Sequence, residues 1–182
     1  MKKLEVLHFP DQRLRKIAQP VKNFDKGLKD IINSMFFTMY EEKGIGLAAT
    51  QVNIHKRIIV IDVSEKKNEK LYLINPEILS LSDDKDSMEE GCLSVPGFYE
   101  SVERPKKIKI LTYNFDGEKI ELDAEGLLST CIQHEIDHLN GKLFVDHISS
   151  LKRNRIEKKI KKLKKDGLIA SRKETPNYKS AV

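Results

Sequence analysis

The spacing of apolar residues along the chain predicts three helices. After Asp25, a residue type that caps helix N-termini, apolar side chains recur every three or four positions as far as Met39. The same spacing runs through residues 127–138, and the following Asn-Gly pair is a typical helix end. A third helix begins near Ser149, carries few apolar residues among many lysines, and stops at Gly167. We therefore expect the first two helices in the core and the third on the surface.

Runs rich in β-branched residues predict strands between these helices. The runs that fit best are residues 57–63, 71–75, 107–115 and 119–124. Asp116 and Gly117 separate the last two, which we expect to pair as a hairpin. Residues 1–23 should be irregular and residues 82–86 a polar turn. Because strands and helices do not alternate one by one, the predicted class is α+β, with mainly antiparallel sheets around a central helix and a C-terminal surface helix.

Composition limits the kind of protein that this chain can be. With 182 residues, 39% of them hydrophobic, one domain is expected over residues 1–168, followed by a polar, disordered tail at 169–182. Residues 151–182 hold 12 basic and 3 acidic side chains, so the C-terminal part should meet an anionic partner. The two cysteines suggest no disulfide framework, and no apolar run resembles a signal peptide or a membrane span. We expect a soluble, cytoplasmic protein.

Residues 134–138, HEIDH, carry the strongest chemical signal. His134 and His138 lie four positions apart on one face of the predicted helix, so both imidazoles can reach one metal ion. Glu135, next to the first histidine, can then act as general base toward water at that ion. Such a short pattern also occurs in helices whose histidines only pack. It predicts a metal site that needs at least one further ligand.

The third ligand does not come from the same helix. A histidine six positions after His138 would define a metzincin, but Phe144 stands there. Cys131 would lie roughly 10 Å from His138 along the helix axis, too far to share an ion, and we interpret it as a small core residue. Cys92 and Glu157 remain as the two candidates.

Three segments, in this order, resemble the signature motifs of the peptide deformylase family: residues 44–51 (GIGLAATQ), 90–94 (EGCLS) and 134–138 (HEIDH). The resemblance extends from about residue 9 to residue 163. It implies a hydrolase of protein biosynthesis that removes the N-formyl group from the initiator methionine of nascent polypeptides. It also implies that Cys92, His134 and His138 bind one divalent metal, Fe²⁺ in the cell, which Zn²⁺, Ni²⁺ or Co²⁺ can replace.

One thiolate and two imidazoles leave a fourth position for water, as in catalytic metal sites. We expect hydroxide on the metal to attack the formyl carbon, while Glu135 takes the proton of the water and gives it to the leaving amine. The resemblance assigns the Gln51 side chain and the Leu93 backbone N–H to the oxyanion that forms. Asp137 is a candidate to orient the site through an ion pair with Arg104.

The resemblance also implies that the substrate peptide pairs with residues 44–51 as an added β-strand. A pocket beside the metal should hold the methionine side chain. Thr130 is less apolar than expected for that pocket, and Tyr99 stands where some family members carry an arginine that could hold the substrate backbone. The residues predicted to bind substrate are Ile45, Gly46, Met88, Gly91, Leu127, Thr130 and Cys131.

The basic C-terminal helix adds one expected partner, the ribosome, through contacts with RNA phosphates. No membrane and no specific DNA is expected as a partner. From the residues themselves two other functions stay open. One is a zincin-type metallopeptidase that takes Glu157 as its third ligand, and the other is a non-enzymatic, metal-stabilised module that binds nucleic acid.

Overall fold

A computed structural model describes residues 2–167, so the predicted disordered tail at 169–182 lies outside the described residues. Over the described part, the chain forms three α-helices: α1 (Lys26–Glu41), α2 (Gly126–Leu139) and α3 (Ser150–Lys165). Its seven strands over the same range are β1 (Gly46–Ala48), β2 (Ile58–Ile61), β3 (Leu71–Leu81), β4 (Lys85–Cys92), β5 (Val95–Pro105), β6 (Lys107–Tyr113) and β7 (Lys119–Glu125).

Every pairing between these strands is antiparallel. Five strands form one sheet in the order β1-β2-β3-β6-β7, and β4 pairs with β5 in a separate long hairpin. The edge strand β1 and the hairpin β4–β5 belong to different sheets and are distant from each other in sequence, yet both contact the same helix, α2. The predicted α+β class, with antiparallel sheets around a central helix, is confirmed.

Helix α1 begins and packs as its sequence predicts. The Asp25 carboxylate accepts a hydrogen bond of 3.0 Å from the backbone N–H of Leu28, which satisfies a donor that the first helical turn leaves free. One face of the helix is then buried against β1, β2 and β3. The apolar residues of that face are Leu28, Ile32, Met35, Phe36 and Met39.

Helix α2 is buried along most of its length, including its polar residues. Ile132 and Leu139 have no exposed surface and pack against apolar side chains of β2, β3 and β6. The opposite side of the helix carries His134 and His138, which are also buried. Apolar packing against the large sheet therefore fixes the helix, and its polar residues face the β4–β5 hairpin.

Helix α3 lies on the surface, as predicted. Ile156 and Ile160 are buried in an apolar cluster that also contains Cys92, Val102 and Phe144, whereas most other α3 side chains are exposed. The helix therefore covers part of the β4–β5 hairpin with one narrow apolar face. None of the helices in residues 2–167 has the length and apolar character that crossing a bilayer requires.

The sequence prediction missed two strands and shortened a third. β4 and β5 were not predicted, because β4 begins with charged residues that indicate a loop rather than a strand. β3 continues to Leu81 although Asn75 and Pro76 indicate a strand end. A register shift in the β3–β6 pairing accommodates the two residues, and the Asn75 side chain bonds to the backbone of Val21 at 2.7 and 2.9 Å.

Asp146, which lies just before α3, connects segments that are distant in sequence. Its carboxylate accepts a hydrogen bond of 2.8 Å from the Leu143 N–H and lies 3.2 Å from guanidinium nitrogens of both Arg15 and Arg153. Burial alone would raise the pKa of Asp146, but the bonds from Arg15 and Leu143 outweigh it and lower the pKa below the usual 3.8. The ionised carboxylate thus stabilises the folded state.

Replacing Asp146 by Asn should lower the free energy of unfolding by about 2 kcal/mol at neutral pH, the range for hydrogen bonds to charged groups. Because the pKa is lowered in the folded state, this contribution is present above the ordinary pKa and is lost as the pH falls through the folded-state value. Urea unfolding should therefore show the same difference at pH 7 and 5 and a smaller one at pH 3. Asp83→Asn, in an exposed turn, is the matched control. An Asp146 difference that does not change with pH would contradict this account.

Candidate metal centre

Three buried side chains meet between β4 and α2. Cys92 is the last residue of β4, and His134 and His138 are one helical turn apart in α2. One ligand atom from each lies within 4.8 Å of the other two. His138 Nε2 is 3.1 Å from Cys92 Sγ and 3.2 Å from His134 Nε2. Atoms bound at about 2.0 to 2.3 Å to one ion lie at similar separations, so the cluster has the dimensions of a metal site.

The end of the β4–β5 hairpin directs the sulfur toward the helix. The register shifts between Gly91 and Cys92, so that Cys92 pairs with Val95 across a tight turn. Within that turn the Ser94 N–H points at Cys92 Sγ from 3.4 Å. The turn thus holds the sulfur at the closed end of the hairpin, against the polar side of α2.

The donors fit a divalent cation in atom type as well as in distance. His134 Nδ1 lies 2.9 Å from Glu90 Oε2, which can only accept, so in the neutral ring Nε2 is left with its lone pair toward the cluster. Burial lowers the pKa of His138, which favours the neutral imidazole that metal binding requires. One sulfur and two ring nitrogens that converge in a buried place suit zinc and other late first-row ions.

A charged network stands behind His134. Arg104 Nη2 donates to Glu90 Oε2 at 3.0 Å, and Arg104 Nη1 donates to Asp137 Oδ2 at 2.9 Å, so the predicted Asp137–Arg104 ion pair is present. Burial would raise the pKa of Glu90, but hydrogen bonds from His134 and Arg104 outweigh it and lower the pKa to about 2. Glu90 is therefore ionised, and its charge is balanced by Arg104. A carboxylate that orients a metal-binding histidine through the second ring nitrogen is a common arrangement.

Glu135 lies next to the cluster and is 3% exposed. Burial raises the pKa of its carboxyl to about 7, although His134 and the Ala48 N–H oppose the shift. None of the described residues donates a hydrogen bond to Oε2. A Cβ atom at Gly46 would lie 2.5 Å from Oε1 of Glu135 and 2.8 Å from Sγ of Cys131, so only glycine leaves the carboxylate in this place.

The predicted oxyanion donors, Gln51 and Leu93, adjoin Cys92. The Gln51 side chain is fixed at both ends, since Oε1 accepts from the Ala48 N–H at 2.8 Å and Nε2 donates to Ser94 Oγ at 3.1 Å. The same Nε2 is 3.4 Å from Cys92 Sγ. Leu93 follows Cys92 directly and is buried. An amide donor and a backbone segment thus adjoin the candidate ligands.

The residues predicted to bind substrate come from three segments around this centre. Cys131 Sγ lies 3.9 Å from the Ile45 carbonyl oxygen, and the Thr130 hydroxyl donates to Met88 Sδ at 3.4 Å. Leu127 is half-buried in the first turn of α2. Gly46 adjoins Glu135, and Gly91 pairs with Tyr99 one position before Cys92.

Two features of the site had no clear signal in the sequence. Glu90 belongs to a recognisable motif, but only the fold shows that it bonds to His134 rather than opposing the nearby thiol. His147, whose Nε2 is 2.8 Å from Asp137 Oδ2, belongs to no motif. Glu157, the other candidate ligand, instead pairs with Lys161 on α3 at 2.6 Å and lies outside the cluster.

An α+β fold that brings a buried thiol, two imidazoles and an adjacent carboxyl group together defines a metal-dependent hydrolase. The comparison with known families makes this class specific. The sequence profile of the polypeptide deformylase family matches residues 3–154. This chain belongs to the peptide deformylase family.

Individual relatives agree with the profile. A peptide deformylase from Stutzerimonas stutzeri is 59% identical over 160 residues, 88% of this chain and 95% of the relative. The crystal structure of a peptide deformylase from Legionella pneumophila superposes with a TM-score of 0.86 at 46% identity, over 93% of this chain and 99% of that one. A peptide deformylase from Ehrlichia chaffeensis in complex with actinonin has a TM-score of 0.85 at 38% identity, over 89% of this chain and 98% of that one.

Proposed function

We propose that this chain removes the formyl group from the N-terminal methionine of nascent polypeptides, releasing formate and a free amine. The observation that carries this proposal is the buried cluster of Cys92, His134 and His138 with Glu135 beside it, in a chain of the peptide deformylase family. The alternative of a zincin with Glu157 as ligand has no support from the geometry, because Glu157 is ion-paired on α3. We place the reaction in the bacterial cytoplasm, where nascent chains emerge and thiols stay reduced.

Cys92, His134 and His138 would hold one divalent ion, for which we propose Fe²⁺, with Zn²⁺, Ni²⁺ or Co²⁺ able to replace it. When bound, such an ion lowers the pKa of water and polarises a carbonyl group. The chain's own contribution is to keep the ligands in place and the site dry. His134 keeps its Nε2 lone pair toward the centre because Glu90 holds the Nδ1 side of the ring.

Glu135 is the proposed general base and, later, the general acid. Its carboxylate would take a proton from the attacking water and return it to the nitrogen of the leaving peptide as the C–N bond breaks. Its buried position and a pKa raised to about 7 suit a group that must both accept and donate a proton near neutral pH. Gly46 leaves room for the carboxylate, since any side chain there would displace it.

The negative charge that develops on the formyl oxygen needs donors that are already in place. We assign this role to Gln51 Nε2 and the Leu93 backbone N–H. The Gln51 amide needs little reorganisation, because its oxygen is fixed by Ala48 and its nitrogen lies 3.1 Å from Ser94 Oγ and 3.4 Å from Cys92 Sγ. Removing one such donor costs about 100- to 1000-fold in kcat.

The substrate peptide would add a strand beside β1, where Ile45 and Gly46 offer backbone groups, and reach Gly91 on the hairpin. The methionine side chain would enter between Met88 and α2. The Thr130 hydroxyl adds little polarity to this pocket, because it already donates a hydrogen bond to Met88 Sδ. The residues that we assign to this pocket are Met88, Leu127, Thr130 and Cys131.

The test of this function is turnover of a formyl-Met peptide by the metal-loaded protein, with the acetyl-Met peptide as matched control. We expect formate release from the first and none from the second. Because the Ehrlichia chaffeensis relative is known in complex with actinonin, we also expect actinonin to inhibit this chain. A fully metal-loaded protein that leaves the formyl peptide intact would refute the proposal.

We also propose that α3 docks the enzyme on ribosomal RNA. Between Lys152 and Lys165 this helix carries nine basic residues and one acidic residue, Glu157. Lys158, Lys162 and Lys165 are exposed on the helix, and no ion pair within residues 2–167 includes them. A row of free cations along an exposed helix suits RNA phosphates.

Changing Lys158, Lys162 and Lys165 together to Gln should weaken binding to ribosomes and reduce its salt dependence. Each lost phosphate contact lowers the slope of log K against log salt concentration by about 0.7 to 0.9, so we expect a change of roughly 2. Sedimentation with ribosomes at several salt concentrations measures this slope. A control with Lys22, Lys66 and Lys119 changed to Gln removes the same charge elsewhere on the exposed surface. Equal slopes for both variants would show that α3 does not dock on RNA.

A further inference from the structure

The short turn before α3 contacts the metal centre at two points. It consists of a 3₁₀ turn, Phe144–Asp146, followed by His147. The Phe144 ring is nearly parallel to the His134 ring, with 6.3 Å between centroids and 22° between planes. His147 Nε2 lies 2.8 Å from Asp137 Oδ2. One turn therefore touches a candidate ligand directly and also reaches the charged network behind it.

His147 is the outer end of a continuous chain of polar contacts. Asp137 Oδ2, which accepts from His147, also accepts from Arg104 Nη1 at 2.9 Å. Arg104 Nη2 donates to Glu90 Oε2 at 3.0 Å, and the same oxygen is 2.9 Å from His134 Nδ1. Exposure falls along this chain, from 36% for the His147 side chain to 17% for Asp137 and 6% for Arg104.

The direction of the His147 contact follows from chemistry. A carboxylate oxygen can only accept, so the imidazole donates through Nε2–H. Arg104 already approaches the same oxygen, which makes Oδ2 of Asp137 the shared acceptor of two donors from different segments. Two donors on one oxygen fix its position more closely than either alone, and Arg104 in turn fixes the Glu90 carboxylate.

The turn itself is held firmly enough to act as an anchor. The His147 backbone N–H bonds to the Phe144 carbonyl, and Phe144 and Val145 are almost fully buried. Asp146 is tied to the Leu143 N–H at 2.8 Å and to Arg15 and Arg153. The imidazole therefore projects from a fixed backbone.

We infer that His147 is a positioning residue for the metal: through Asp137, Arg104 and Glu90 it sets the orientation of the His134 imidazole and so slows release of the ion. This inference rests on the proposed function only in taking His134 as a ligand. Partners of metal-binding histidines typically change metal affinity by about 10- to 100-fold when they are removed, and His147 acts from one step further out.

The experiment compares His147→Leu with His147→Gln in the Co²⁺-loaded protein. Leu removes the donor, whereas the Gln side-chain nitrogen can occupy nearly the same position and keep it. We expect release of Co²⁺ to excess chelator to be about tenfold faster in His147→Leu, at the lower end of the range for such partners, with shifted cobalt absorption bands. His147→Gln should behave like the unchanged protein. Thermal midpoints of the metal-free proteins should not differ, since the imidazole is partly exposed.

Each contrary result has a distinct meaning. Release at the unchanged rate in His147→Leu would overturn the inference. So would equally fast release in both variants, or a faster release that only follows a lower thermal midpoint of the metal-free protein, because these indicate a general role in stability. If the unchanged protein takes up no Co²⁺ with thiolate-to-metal absorption, it is the proposed metal site itself that fails.

Discussion

A Glu135→Gln variant should keep its metal and lose about 100- to 10,000-fold in kcat/KM toward a formyl-Met peptide, the usual contribution of a positioned general acid and base. The amide has almost the shape of the carboxyl group, so the buried space beside Gly46 stays filled. It cannot accept and return a proton, which is the role proposed for this side chain. Metal analysis of the purified variant and steady-state kinetics measure the two halves of the prediction.

Glu157→Gln is the matched control for that variant, because it makes the same chemical change on α3. Glu157 contacts Lys161 on the surface, and we expect both metal content and activity to remain unchanged. If Glu157→Gln lost the metal while Glu135→Gln retained activity, the assignment of roles would be reversed, and the zincin alternative would regain support.

A Cys92→Ser variant should lose metal affinity by more than about 100-fold, since even residues that only touch a ligand contribute up to about that factor. Serine has the wrong donor atom for a site built from one sulfur and two ring nitrogens, and its hydroxyl is not ionised at neutral pH. The activity should fall with the metal content. Titration with Zn²⁺ against a competing chelator gives the affinity directly.

Cys131→Ser provides the control for the second variant. Cys131 is also buried in this region, but its sulfur lies against Ile45 and Gly46 and it is not among the three clustered ligands. Its replacement should leave the metal content as it was. Comparable metal loss in the two serine variants would mean that the thiol of Cys92 has no special part in the site.

Much of the fold could be predicted from local sequence. The caps at Asp25 and Ser149 and the apolar spacing placed α1 and α3 to within about two residues. The β6–β7 hairpin followed from alternation around Asp116 and Gly117. The hairpin β4–β5 could not be found in this way. Its outer half is exposed and charged, and only near Cys92 does β4 become buried on both faces.

The site could likewise be predicted only as far as it depends on residues that are close in sequence. The spacing of His134 and His138 needs only a helix, so it could be predicted from the residues themselves. The choice between Cys92 and Glu157 depends on how a hairpin meets that helix, and apart from the family resemblance nothing in the sequence decided it. In the sequence, Phe144 only excludes a metzincin, yet in the fold its ring stacks on His134. Contacts of this kind depend on the tertiary fold.

The three clustered side chains come from two elements that are more than 40 positions apart in sequence, the end of β4 and the C-terminal half of α2. A bound ion therefore acts as a cross-link that closes a long loop, and the unfolded chain has no equivalent for it. At a free ion concentration 1000 times the dissociation constant, this linkage adds about 4 kcal/mol to the stability of the folded state. If the site is loaded as proposed, the melting temperature of the protein should rise with the concentration of the free ion, and removal of the ion should lower the stability of the folded state as well as the activity.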